Sequence, residues 1–107
     1  MGAAMEVLLA RARQSGKSAN HQLMDALLAA MEEACRLANE GHVIVGLDIS
    51  AGRPTIQLER SAVLAHYVEV GKASYTTHGI DRNGQRRRVG ELLGRGVCRV
   101  TWMEVGH

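Results

Sequence analysis

The sequence predicts an α+β fold in which two N-terminal helices pack on a mostly antiparallel sheet of about four to five strands. Three observations predict this class. Apolar residues recur at helical spacing up to about residue 40, Gly41 interrupts that repeat, and apolar residues then alternate with polar ones. A run of helices followed by a run of strands is typical of α+β proteins.

Length and composition fit one domain. The chain has 107 residues, of which 46% are hydrophobic and only 3% aromatic. We therefore expect a single domain over residues 1–107, helical over 1–40 and mainly β over 42–105. No apolar run approaches the ~18 residues of a membrane-spanning helix, and no basic segment precedes the apolar residues near the N-terminus. These features predict a cytoplasmic protein outside the membrane.

The helical half divides at a polar segment. Residues 3–14 predict a short first helix, whose Val7 and Leu8 lie on a narrow apolar face. Residues 15–18 (Ser-Gly-Lys-Ser) are expected to break the helix, and a second helix follows over residues 19–40 and ends at Gly41. Its apolar stripe consists of Leu23, Leu27, Ala30, Met31, Ala34, Leu37 and Ala38, widened by Met24, Leu28 and Cys35.

The first strands follow Gly41. Residues 42–50 and 55–59 alternate in polarity and predict a β-hairpin around a turn at 51–54. Residues 61–70 suit one or two helical turns that begin at Ser61, so this segment stays ambiguous.

A second hairpin is predicted around the sequence Asp-Arg-Asn-Gly at residues 81–84. Asn-Gly readily supplies the positive φ angles of a tight turn. The flanking strands are expected over residues 72–80 and 85–89. A connection over 91–96 then leads to a final strand over 97–105.

No motif in the sequence points to catalysis, a metal or a cofactor. Residues 16–18 resemble the end of a phosphate-binding loop, but Arg11 stands where that motif needs glycine, so we interpret them as an interhelical turn. The five histidines lack metal-ligand spacing. Cys35 and Cys98 are interpreted as buried thiols in a reducing compartment. Because Arg95 and Arg99 flank Cys98, a thiol-dependent enzyme or regulator remains a third hypothesis.

The charge distribution is the main indication of function. Residues 71–107 carry seven Lys and Arg against three Asp and Glu, whereas residues 1–70 carry six against eight. Three interpretations of the arginines stay open: a charged strand edge that prevents aggregation, a docking site for an acidic protein, or a nucleic-acid site. The candidate binding residues are Arg82, Arg86, Arg87, Arg88, Arg95 and Arg99.

The segment from Ser18 to Glu59, SANHQLMDALLAAMEEACRLANEGHVIVGLDISAGRPTIQLE, resembles small uncharacterised proteins of phages and prophages of Gram-negative bacteria. In those proteins a similar helix leads into a strand and a hairpin return. The resemblance carries no catalytic residue. It implies an accessory protein that binds host proteins.

The sequence therefore predicts a small non-enzymatic binding protein that docks on a host protein through its Arg-rich C-terminal hairpin, with Arg86, Arg87 and Arg88 as the main contacts. The alternative is a nucleic-acid-binding protein that uses the same arginines on phosphates. The apolar face of the first helix also suggests a homodimer through Val7, Leu8 and their neighbours.

Overall fold

A computed structural model describes residues 3–49 and 53–106 of the chain. Its fold is α+β, with a helical layer followed by a five-stranded, mostly antiparallel sheet, so the predicted fold class is confirmed. The elements are α1 (Ala3–Asn39), β1 (Ile44–Asp48), β2 (Thr55–Leu58), α2 (Ala62–Glu69), β3 (Ala73–Ile80), β4 (Arg86–Leu92) and β5 (Arg99–Val105).

The two predicted N-terminal helices are joined in one helix, α1, of 37 residues. The predicted break at residues 15–18 is not present. A glycine within a helix costs about 1 kcal/mol relative to alanine, but it keeps its backbone N–H and therefore does not interrupt the hydrogen-bond ladder as proline would. The helix ends where predicted, before Gly41, which has a φ of 93°. Neither α1 nor any other helix in the described part of the chain is long and apolar enough to cross a membrane.

The sheet has the strand order β1-β2-β5-β4-β3. Both predicted hairpins are present, because β1 pairs antiparallel with β2 and β3 pairs antiparallel with β4. Residues 51 and 52 of the turn predicted at 51–54 lie outside the described residues. β5 lies between the hairpins, parallel to β2 and antiparallel to β4.

The ambiguous segment after β2 forms α2. Ser61 caps this helix by accepting a hydrogen bond from the backbone N–H of Leu64 at 3.3 Å. Gly71, with a φ of 82°, follows its last turn.

β4 extends beyond its predicted end at residue 89, into the predicted connection. Gly90, Glu91 and Leu92 continue the strand and pair with β3. Two side chains explain the extension, since Leu92 is buried in the core and the indole of Trp102 covers Gly90.

The core lies on one face of the sheet, between the strands, α2 and the C-terminal part of α1. Among the α1 side chains whose burial the structure describes, the half-buried and buried ones all lie from residue 26 onward. The rest of α1 extends away from the sheet, and the molecule measures 67 × 34 × 19 Å. The buried core consists of Leu37, Ile56, Leu58, Leu64, Ala73, Leu92, Cys98, Val100 and Trp102.

Candidate functional site

The tip of the Arg-rich hairpin is a rigid turn built on Asp81. The Oδ1 atom of Asp81 accepts hydrogen bonds from the backbone N–H groups of Asn83 and Gln85, both at 2.9 Å. Gly84 completes the turn with a φ of 77°. The hydrogen bond from Gln85, followed by that from Arg87, lowers the pKa of Asp81. The predicted turn is therefore present, and it orients the residues that flank it.

Four of the six predicted binding arginines are engaged by acids of the same chain. An arginine held in this way has less charge to offer a partner. Arg82 and Arg86 are exposed and have no acidic partner among the described residues. The internal ion pairs are Arg87 with Asp81, Arg88 with Glu104, Arg95 with Glu33 and Glu40, and Arg99 with Glu91.

Glu104 is the centre of a buried polar cluster that the sequence analysis did not identify. Its side chain accepts hydrogen bonds from the Trp102 indole and the Tyr75 hydroxyl, each at 2.9 Å. Arg88 donates to the other carboxylate oxygen at 2.9 Å, and its guanidinium stacks 3.7 Å from the centre of the Tyr75 ring. Arg88 therefore holds the sheet together here.

The cluster keeps Glu104 ionised although it is only 3% exposed. Burial by itself raises the pKa of a carboxyl group. The hydrogen bonds from Trp102, Arg88 and Tyr75 outweigh this effect and lower the pKa of Glu104. The alternation of Val100, Trp102 and Glu104 along β5 was the available sign that Glu104 faces the core.

A second ion-pair cluster joins α1 to the connection between β4 and β5. Arg95 donates to both carboxylate oxygens of Glu40, at 3.0 and 2.9 Å, and to the buried Glu33 at 3.2 Å. The bond from Arg95 lowers the pKa of Glu40, and the bond to Glu40 raises the pKa of Arg95. This bidentate contact fixes the C-terminal part of α1 on the sheet.

Cys98 lies in the core, as predicted, with 3% exposure. Its thiol donates a weak hydrogen bond to the backbone carbonyl of Ala29, with sulfur and oxygen 3.6 Å apart. Burial, followed by the nearby charge of Glu33, raises the pKa of the thiol. A nucleophilic thiolate needs the opposite, a partly exposed position that lowers the pKa.

Cys35 does not lie where the sequence predicted. It was expected to be a packed thiol, but it is a free, exposed cysteine. Ala30, Glu33 and Leu37 are the buried residues of this part of α1 and face the sheet, whereas Cys35 lies on the opposite side of the helix. The apolar stripe predicted for the second helix is therefore divided between two sides of α1.

The described histidines and acids form no metal centre. No group of three His, Cys, Asp or Glu side chains within residues 3–49 and 53–106 is arranged to hold a metal ion. The Nε2 atom of His42 is buried, lies 3.5 Å from Glu40 and makes no hydrogen bond.

The N-terminal part of α1 is an exposed segment of the molecule. We call residues 4–25 the helical arm. Every side chain that the structure describes in the helical arm is exposed. At 1.5 Å per residue the whole helix is about 55 Å long, so the arm extends well beyond the sheet.

One apolar face of the helical arm continues the face that contacts the sheet. On a helix, residues three, four or seven places apart lie on the same side. The buried Ala30 and Leu37 therefore share a side of α1 with the exposed Leu23, Leu9 and Met5, and Leu8 lies beside them. We call Met5, Leu8, Leu9 and Leu23 the inner stripe. The inner stripe lies on the same side of α1 as the residues that face the core. The sheet covers that side near Ala30 and Leu37 but leaves the inner stripe exposed.

A second apolar row lies on the other side of α1, away from the sheet. We call it the outer seam, and all of its residues are exposed. Its residues are three, four or, between Ala10 and Met24, fourteen places apart, which fits the seven-residue repeat of coiled coils. The outer seam consists of Val7, Ala10, Met24, Leu28, Met31 and Cys35.

Comparisons with known proteins do not extend these observations. No family model matches the chain, and no curated protein or solved structure shows significant similarity to it. The function is therefore argued from the exposed surfaces of α1 and the hairpin.

Proposed function

We propose that this chain is a non-enzymatic binding protein that attaches to a partner protein through the inner stripe. One observation carries the proposal: Met5, Leu8, Leu9 and Leu23 are large, apolar and exposed on the same face of a helix that extends beyond its own core. Fully burying one such side chain stabilises a complex by about 1.5–3 kcal/mol. An amphipathic helix of this kind fits a hydrophobic groove, with anchors three and four residues apart.

The buried thiol supports a binding role over a thiol-dependent reaction. Cys98 is shielded from solvent, and its raised pKa keeps it protonated. The neighbouring arginines that motivated the enzymatic hypothesis are both held by acids, Arg95 by Glu33 and Glu40 and Arg99 by Glu91. Burial and the charge of Glu33 outweigh the charges of Arg36 and Arg53, so the pKa of the thiol is raised.

The Arg-rich hairpin supports a second candidate function, with fewer arginines than the sequence predicted. Arg82 and Arg86 are exposed near its tip without an acidic partner in the described structure, so they are the arginines best placed to meet an acidic protein or a phosphate. Arg87 and Arg88 would first have to leave Asp81 and Glu104. Two phosphate contacts would give a salt dependence of only about two log units in affinity per log unit of salt.

The resemblance to phage and prophage proteins supplies a context for the proposal. A bacterial host protein as the partner, a phage origin and a cytoplasmic location stay predictions, since they rest on the sequence alone.

A capture experiment tests the two surfaces against each other. The protein is immobilised and exposed to lysate of a Gram-negative bacterium, with and without nuclease. Leu8→Glu/Leu9→Glu changes the inner stripe, and Arg82→Glu/Arg86→Glu changes the hairpin tip. Val63→Glu, at an exposed position of α2, controls for added negative charge.

We expect a nuclease-resistant partner that the inner-stripe variant loses and the other two variants retain. Loss only with the hairpin variant would contradict docking through the arm and favour an acidic protein partner. Capture that disappears with nuclease would favour nucleic acid.

A further inference from the structure

We infer that α1 forms a parallel, two-stranded coiled coil with α1 of a second copy of this chain, through the outer seam. This inference concerns the opposite side of the helix from the inner stripe and does not depend on the proposed partner.

The spacing of the outer seam is that of a coiled-coil interface. Val7, Leu28 and Cys35 occupy a positions of one heptad register, and Ala10, Met24 and Met31 occupy d positions of the same register. The register runs without a shift from residue 7 to residue 35, about 40 Å of helix. Between Ala10 and Met24 the register places Gln14 and His21 at a and Lys17 at d, so its apolar positions fall in two segments, residues 7–10 and 24–35. Polar residues at core positions help to specify register and the number of strands, at a cost in stability.

The exposure of the outer seam indicates that nothing within residues 3–49 and 53–106 covers it. Met24, Leu28 and Met31 are 52%, 54% and 55% exposed although they lie beside the folded sheet. The buried residues Ala30, Glu33 and Leu37 point to the opposite side of α1. Two copies that join along their outer seams would therefore carry their sheets on the outside of the pair.

Charge selects a second copy in the parallel orientation. In a parallel pair, a residue at position g meets the residue at position e five places later in the other helix. Glu6 is at a g position and Arg11 at an e position, so Glu6 of each copy would lie beside Arg11 of the other. The two-fold symmetry of the pair gives two such ion pairs. An antiparallel pair centred between Leu28 and Met31 would instead place Asp25 opposite Glu32, both of them acidic.

The oligomeric state tests the association. Light scattering after gel filtration, at several concentrations of the whole chain, should give about twice the monomer mass of 11.6 kDa. Leu28→Glu should raise the dissociation constant of the dimer at least about tenfold, because Leu28 lies near the centre of the interface. A tenfold change corresponds to about 1.4 kcal/mol of binding free energy. Leu93→Glu is the matched control, because Leu93 is 52% exposed, close to the 54% of Leu28, but lies outside α1.

Circular dichroism of both variants checks that they remain folded. A wild-type mass of one copy at every concentration would overturn the inference, as would a dimer that Leu28→Glu leaves intact.

The exposed thiol tests the orientation. In a parallel pair in register, Cys35 faces Cys35 of the other copy, so mild oxidation should give a disulfide-linked dimer on a non-reducing gel. Cys35→Ser should abolish the cross-link, and Cys98→Ser should retain it because Cys98 is buried.

An antiparallel pair separates the two Cys35 residues by eleven residues of helix, about 16 Å, and places Cys35 opposite Met24. A dimer that cross-links only after Met24→Cys would therefore overturn the parallel arrangement.

Discussion

Gly90 lies directly across from Trp102 on the neighbouring strand, and the indole ring lies over it. The Cβ atom of any other residue at this position would overlap the ring. Tyr75 pairs with Gly90 from the other side and meets the Trp102 ring edge to face, at 6.2 Å between ring centres. A missing side chain therefore lets the two largest aromatic side chains of the sheet meet.

We expect Gly90→Ala to lower the free energy of unfolding by about 1–3 kcal/mol, because the added methyl group forces the indole to move. Gly79→Ala is the matched control, since Gly79 lies in β3 and a Cβ atom there would meet nothing within 4 Å. Urea denaturation of both variants measures the difference. Equal stabilities would show that the sheet adapts to the methyl group without cost.

The acid sensitivity of the fold should depend on Glu104. Its pKa is lowered in the folded state, so its contribution to stability is complete above the ordinary carboxyl pKa. That contribution is lost as the pH falls from about 4.5 through the lowered value. Asp81 and Glu40, whose pKa values are also lowered, should act in the same direction.

Glu104→Gln should cost about 1–3 kcal/mol at pH 7, because Arg88 loses its charged partner. The same variant should lose less stability than the wild type between pH 5 and pH 3. Urea denaturation at a series of pH values measures both effects. Parallel stability curves for the two proteins would contradict a central role for Glu104 in acid unfolding.

At the scale of elements, the sequence contained most of the secondary structure. The change of period at Gly41, the Asn-Gly turn and the cap at Ser61 are local signals, and all three have the expected structural result. The predicted helix break at residues 15–18 was wrong, because a Ser-Gly-Lys-Ser segment weakens a helix without removing a backbone hydrogen bond.

The candidate site was less predictable than the secondary structure. The arginines were visible in the sequence, but their partners Glu33, Glu40 and Glu104 are distant in sequence and reach them only through the fold. The exposure of the outer seam also depends on which side of α1 the sheet covers. Periodicity alone does not separate two apolar faces of one helix.

The cap of α2 gives a prediction at this scale. Ser61→Ala removes the hydrogen bond to the N–H of Leu64 and should lower the free energy of unfolding by about 1 kcal/mol. Ser61→Asp should restore most of it, because aspartate is an equally good cap. Thermal denaturation of the two variants measures the change, and a neutral alanine variant would show that the cap contributes little.

At the scale of the whole molecule, α1 belongs to two environments. From residue 26 onward it is fixed by the core and by Arg95, whereas the described side chains of the helical arm are all exposed. In the Leu28→Glu variant, which we expect to be monomeric, backbone amides of the arm should exchange with solvent at least about tenfold faster than those of residues 30–38. Hydrogen exchange measured by mass spectrometry resolves the two segments. Equal protection would mean that the arm is stable on its own.

The central position of β5 has a consequence for biosynthesis. β5 joins β2 to β4, yet it is the last of the five strands to leave the ribosome. While translation proceeds, the β1–β2 and β3–β4 hairpins can form separately, but neither can find its neighbour in the sheet until residues 99–105 emerge. During that interval the apolar faces of α1 and both hairpins are open to chaperones, and a premature stop anywhere before residue 99 would leave a nascent chain that cannot close its sheet.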